Sequence, residues 1–113
     1  MKLYSEVRPW GRFDRFSENE RCTVKLLYIN SGSRLSLQYH KNRQEYWRIV
    51  KGNPVIQIHD KEIHSREGED IVIPTNARHR ISAGNSDCVI LEVSVGEFDE
   101  NDIVRIHDDY DRT

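Results

Sequence analysis

Gln38 and His40 stand two residues apart in RLSLQYH, Glu45 follows in EYWRIV, and His79 comes after the turn Pro74-Thr75-Asn76. On a β-strand, alternate residues share a face, so Gln38 and His40 look into the same space. Two imidazoles, a carboxylate and an amide oxygen form a mixed donor set that can hold one divalent ion and leave positions open for a ligand. Zinc, manganese, iron, cobalt and nickel all accept such a set, so the residues do not choose among them.

Arg34, Ser36, Gln38 and His40 occupy one face of that strand, and Leu35, Leu37 and Tyr39 the other. With the polar face inward, the strand lines a wet cavity, and its apolar face needs a cover: the N-terminal segment or a second subunit of a homodimer. The opposite reading puts the leucines inside and the glutamine and histidine in solvent. The segment Gly68 to His79 favours the first, because a turn, a strand, a second turn and a histidine recur there.

The elements that must position these groups read as short β-segments between turn signals. CTVKLLYIN runs into SGS, EYWRIV ends at KGNP, PVIQIHD turns at Asp60-Lys61, DIVIP ends at Pro74, and DCVILEVSV ends at Gly96. Val- and Ile-rich strands at spacings of roughly ten residues predict an all-β sandwich or barrel, here a small jelly-roll. Only the tail EFDENDIVRIHDDYD offers a helical turn, and its acidic runs read as solvated surface. Trp47 shares a strand face with Glu45 and Ile49 and is expected to pack beside the site, with sugar stacking the lesser role.

At 113 residues the chain has length for one domain, spanning 1–113. A net charge of −2 with interspersed signs argues against nucleic acid as a partner. No apolar run is long enough to span a membrane, and MKLYSEVRPWG lacks the apolar stretch of a signal peptide. Cys22 and Cys88 make no disulfide framework and are expected to be reduced, in a cytoplasmic protein.

Gly32-SRLSLQYHKNRQEYWRIVK-Gly52 resembles the first cupin motif, with Gln38 where a histidine is usual, and Gly68 to His79 resembles the second, with Asn76 in place of a glycine and Ala83 in place of an asparagine. RPWG, RLSLQYH, the Arg43-x-Glu45-x-Trp47 spacing and ENDIVRIHDDYDR together look like the cupin domain of type II mannose-6-phosphate isomerases, over about Val7 to Arg112. In that family the domain often follows a mannose-1-phosphate guanylyltransferase; these residues contain no glycine-rich nucleotide loop. The chain departs from the family at Tyr46, where a histidine is common, and at Asp111, where a glycine is usual.

The resemblance implies a cupin-type double-stranded β-helix and a metal held by Gln38, His40, Glu45 and His79. It also implies interconversion of mannose 6-phosphate and fructose 6-phosphate through an enediol. A fixed cation stabilises the charge that develops in such a step. Arg43 is the candidate for that catalytic role, with Arg34 and Arg112 as candidates for binding the phosphate of the substrate. His59 and His64 could reach a cavity but read as ordinary strand residues, so the general base stays unassigned. One alternative is a non-catalytic or regulatory cupin that binds a sugar phosphate or nucleotide sugar. Another is an iron oxygenase, which Gln38 disfavours by filling a position that oxygen would need.

Overall fold

The computed structural model describes residues 3–112, and every regular element in it is a β-strand. Tyr4–Arg8 (β1) and Gly11–Arg15 (β2) pair only with each other, as a hairpin turning at Pro9 and Trp10. A four-stranded sheet contains Cys22–Ile29 (β3), Cys88–Gly96 (β10), Arg43–Lys51 (β5) and Asp70–Ile73 (β8), in that order. A five-stranded sheet runs Val104–His107 (β11), Leu37–Tyr39 (β4), His79–Ser82 (β9), Val55–Ile58 (β6) and Lys61–His64 (β7). All pairings are antiparallel, which gives the expected jelly-roll.

Alternation along the strands of the four-stranded sheet assigns each side chain to a layer. Trp47 and Ile49 of β5, Ile71 and Ile73 of β8, and Cys88 and Ile90 of β10 join one core with Ile56 and Ile81 of the facing sheet. That core fills one end of the barrel. At the other end, the same inward faces carry Glu45 on β5 and Glu92 on β10, both buried. The apolar end thus fixes the register that holds the polar end in place.

Three segments differ from the sequence expectation. The regular strand in RLSLQYH is only Leu37–Tyr39, preceded by an isolated bridge between Arg34 and Ser82. Because the chain leaves the ladder there, strict alternation fails: Leu35 packs, partly buried, against the core. PVIQIHD turns one residue early, with His59 in a left-handed conformation, and Lys61–His64 returns as a strand. The tail forms β11 and not a helical turn, because Val104 and Arg105 pair with Tyr39 and Gln38. Nor are its acids merely solvated: the buried Asp108 grips Arg112, and Asp109 pairs with Arg34.

Gly52 follows β5 with a φ of +88°, and a Cβ there would lie 2.6 Å from the Asp87 carbonyl oxygen and 2.9 Å from Cys88 Cβ. Both neighbours are fixed by β10, so neither can move away cheaply. Gly52→Ala is expected to lower stability by about 2–4 kcal/mol, from backbone strain plus overpacking. Urea unfolding would show this as a lower midpoint at unchanged slope.

Candidate metal and substrate site

His40 directly follows β4, Glu45 lies in β5 and His79 opens β9, so the three side chains come from both sheets. His40 Nε2 lies 3.4 Å from Glu45 Oε2, and His79 Nε2 lies 3.9 Å from Glu45 Oε1. One donor atom from each residue falls within 4.8 Å of the other two, and all three residues are buried.

Backbone carbonyls set the orientation of both rings. His40 Nδ1 donates to the Asp102 carbonyl at 2.7 Å, and His79 Nδ1 donates to the Ala77 carbonyl at 2.8 Å. A carbonyl only accepts, so each Nδ1 carries the hydrogen and each Nε2 presents a bare lone pair. Asn76 N donates 2.8 Å to the His40 carbonyl, tying the Pro74 turn to the first histidine. The Asp102 carboxylate accepts from the amides of Lys41 and Asn42, both at 2.9 Å, so the loop before β11 holds the chain just beyond His40.

His79 Nε2 decides whether these residues suit a metal. It is buried and has no hydrogen-bond partner, in a residue only 1% exposed. A bare lone pair sealed from water is costly unless something accepts it, and a cation beside Glu45 would do so. Burial lowers the pKa of His79, outweighing the attraction of Glu45, so the ring stays neutral as ligation requires. Burial also opposes ionisation of Glu45. A hydrogen bond from Glu92, the neighbouring histidines and Arg43 outweigh it and hold Glu45 below the usual carboxylate range.

Gln38 Nε2 lies 3.3 Å from His40 Nε2, while its Oε1 accepts from Ser36 Oγ at 2.5 Å. Rotating the amide by half a turn exchanges the two atoms, giving the oxygen to the centre and leaving Nε2 to donate to Ser36. Gln38, His40, Glu45 and His79 therefore form a donor set that fits one divalent ion.

Beside this cluster is a cavity of about 170 Å³, lined by Gln38, His40, Glu45 and Arg43 among others. Arg43 is buried: its Nε donates to Glu45 Oε2 at 3.0 Å, its Nη1 donates to the Asp99 carbonyl at 3.2 Å, and Phe98 lies under its guanidinium. Trp47 Nε1 donates to Glu45 Oε1 at 3.1 Å, so the tryptophan packs beside the site and orients its carboxylate. Glu45 is thus held from two sides.

The other expected residues fall elsewhere. Arg34, expected on the ligand face, does not line this cavity; its Nε and Nη2 donate to Asp109 at 2.7 and 2.9 Å. Loss of strand geometry before Leu37 is the reason. Arg112 reaches the cavity wall, but one edge of its guanidinium is taken by Asp108, with Nε and Nη2 donating at 2.8 and 2.9 Å. His59 and His64 are exposed and line no part of it.

Among the lining residues not singled out from the sequence, Glu92 and Arg105 bear most on the chemistry. Glu92, opposite both Trp47 and Lys25 in the sheet, is buried against Glu45, and Arg105 lies across from Gln38. Burial, and then the hydrogen bond and repulsion from Glu45, raise the pKa of Glu92 well above the carboxylate range. Its signal in the sequence is a lone acid on the inward face of CVILEVSV.

The profile of the family described as mannose-6-phosphate isomerase C-terminal matches residues 1–108. The chain belongs to that family. Its relatives include the alginate biosynthesis protein AlgA of Pseudomonas aeruginosa, 37% identical over 94% of this chain and 22% of that protein. The mannose-1-phosphate guanylyltransferase ManC of Salmonella typhimurium is 36% identical over 97% of this chain and 24% of its own length. The chain thus spans about a quarter of these relatives. A cupin protein from Bacteroides fragilis superposes with a TM-score of 0.63 at 22% identity, over 72% of this chain and 74% of that one. The fold is the cupin double-stranded β-helix expected from the motifs.

Within this family the change at Tyr46 takes on a definite meaning. Tyr46 precedes Trp47 and follows Glu45 on β5, so it faces away from both; its ring meets Phe16 at 5.5 Å, edge-on. It lies outside the cavity, and replacing a histidine there leaves the lining unchanged.

Proposed function

We propose that this domain is a metal-dependent isomerase interconverting mannose 6-phosphate and fructose 6-phosphate. The observation that carries the reading is the buried His40–Glu45–His79 cluster with Arg43 against it, in a cavity, in a chain of this family. Gln38, His40, Glu45 and His79 would hold the ion, which supplies a Lewis acid for the oxygens of the substrate. Arg43 offers fixed positive charge where the enediolate develops, in a site shielded from water.

Proton transfer between carbons 1 and 2 needs a group that can accept and return a proton near neutral pH. Glu92 fits: it lines the cavity, and its raised pKa lets the carboxyl carry a proton where an ordinary carboxylate would not. In this reading ionised Glu92 takes the proton from carbon 2 and returns it to carbon 1, while the hydroxyl proton on the carbon 2 oxygen passes to the carbon 1 oxygen. We place the reaction in the cytoplasm, in keeping with the free thiols of Cys22 and Cys88. Tyr46 lies off the cavity, so nothing in the site favours the purely regulatory alternative.

The test is incubation of the metal-loaded protein with mannose 6-phosphate in heavy water, followed by NMR. Fructose 6-phosphate with deuterium at carbon 1, and recovered mannose 6-phosphate with deuterium at carbon 2, are expected; no product and no exchange with any of the five metals would refute the isomerase. Glu92→Gln is expected to lower exchange by about 10²–10⁴-fold while the metal stays bound. Because the base must be ionised, wild-type activity should rise with pH through a midpoint above the usual carboxylate range. An unchanged acid limb in Glu92→Gln would remove Glu92 from this role.

A further inference from the structure

We infer that Arg105 holds the phosphate of the substrate. This rests on the sugar-phosphate reading above and assigns one end of the ligand within that site. Arg105 lines the same cavity as Gln38, His40 and Arg43. Its Nε is buried and has no hydrogen-bond partner. No carboxylate pairs with it among the described residues, whereas Arg43 has Glu45 and Arg112 has Asp108. Arg43 and Arg112 are therefore each held by a carboxylate of this chain, and Arg105 brings to the cavity a guanidinium with no such partner.

A buried guanidinium nitrogen with an unmet N–H is a costly arrangement in an isolated domain. A phosphate entering the cavity removes the cost, because its oxygens accept from the planar fork in two places. The sheet fixes the position. Arg105 pairs in register with Gln38, whose side chain reaches His40 Nε2. One two-residue step along a strand is about 7 Å. A phosphate at the Arg105 position thus stands roughly one such step from the histidine, and an open-chain hexose can bridge it from carbon 6 to carbons 1 and 2. The irregular pairing between Arg105 and His107 re-aims the strand at this point, as bulges beside functional sites do.

The same placement separates the two ends of the site. Glu92 and Lys25 come from neighbouring strands of the four-stranded sheet, and Arg105 comes from the edge of the five-stranded one. The phosphate end thereby lies on one sheet and the proton-transfer group on the other, with the metal ligands between them. Lys25 is no rival for the phosphate, since Glu100 engages it at 3.0 Å.

The experiment compares wild type, Arg105→Gln and Arg105→Lys, all metal-loaded, with two probes. Mannitol 1-phosphate carries a terminal phosphate and no carbonyl, so its binding by calorimetry reads the phosphate contact without turnover. Arg105→Gln is expected to weaken it about 10- to 100-fold, and Arg105→Lys to restore part of the loss. Against mannose 6-phosphate, KM should rise by a similar factor with kcat nearly unchanged. Arg78→Gln, exposed and away from this cavity, serves as the unchanged control. Failure of wild type to bind mannitol 1-phosphate overturns the assignment, as does undiminished binding by folded Arg105→Gln. Binding that depends on Arg105 without isomerisation keeps the assignment and refutes the isomerase; turnover with an unchanged KM in Arg105→Gln does the reverse. Should Arg105→Gln not fold, Arg105→Lys decides by the same KM measurement, with wild-type KM and a changed kcat overturning the phosphate role.

Discussion

Glu45→Gln is expected to reduce affinity for a divalent ion by well over 100-fold and to bring isomerisation down to background. Loss of an outer partner of a ligand already costs about 10–100-fold in affinity, and Glu45 is the only carboxylate in the donor set. The glutamine keeps the shape, so Trp47 Nε1 can still donate to its oxygen in place of Glu45 Oε1. The charge is what disappears. Arg43, beside His40, then meets an incoming cation with no carboxylate to offset its charge, and that repulsion adds to the loss. Equilibrium dialysis against zinc or manganese, with circular dichroism to verify the fold, would measure the effect. Wild-type affinity in the variant would place the ion elsewhere.

Arg43→Ala is expected to lower kcat for mannose 6-phosphate about 10²–10³-fold, the usual consequence of removing a preorganised donor to a developing oxyanion. KM should change much less, because the phosphate contact lies elsewhere. The variant also frees Glu45 from its nearest cation, so the bound ion should be retained or held more tightly. Opposite directions for turnover and metal retention distinguish an electrostatic role from a merely structural one. A variant that loses metal and activity together would make Arg43 a support for Glu45 alone.

The parts of the site that could be read from the sequence are those where strand alternation holds. In EYWRIV the period of two assigned Glu45, Trp47 and Ile49 to one face, and all three are buried there. In RLSLQYH the same logic misplaced Arg34, because the ladder is interrupted before Leu37 and nothing local announces the break. Glu92 was hidden by its neighbours: an apolar strand reads as core, and only the register with Trp47 brings its carboxyl to the metal end. Arg105 was hidden by the acidic tail, whose charges suggested solvent. The N-terminal hairpin was not foreseen, since YSEVR lacks an apolar run and pairs only with GRFDR.

Two departures from the family pattern have a common physical cause. Asn76 and Asp111 replace glycines, and both adopt positive φ, of 64° and 56°. These are left-handed positions, and asparagine and aspartate are the side chains that tolerate them best after glycine. Asn76 keeps its amide bond to the His40 carbonyl, so the turn that seats His79 survives the replacement. The substitutions preserve backbone shape and leave the donor set alone.

The two tryptophans give this domain a built-in optical gauge. Trp47 is 1% exposed, bonded to a carboxylate of the metal cluster, with its ring 5.4 Å from that of His79; Trp10, at the hairpin tip, is 73% exposed. Their emission should separate into a blue component from the dry indole and a red one from the wet indole. Ion loading beside Trp47 then changes only the blue light: cobalt, nickel or manganese extinguish it through their unpaired electrons, and zinc shifts it without darkening it. A Trp10→Phe variant would leave a single chromophore that reports occupancy of the centre directly, in real time and without a label.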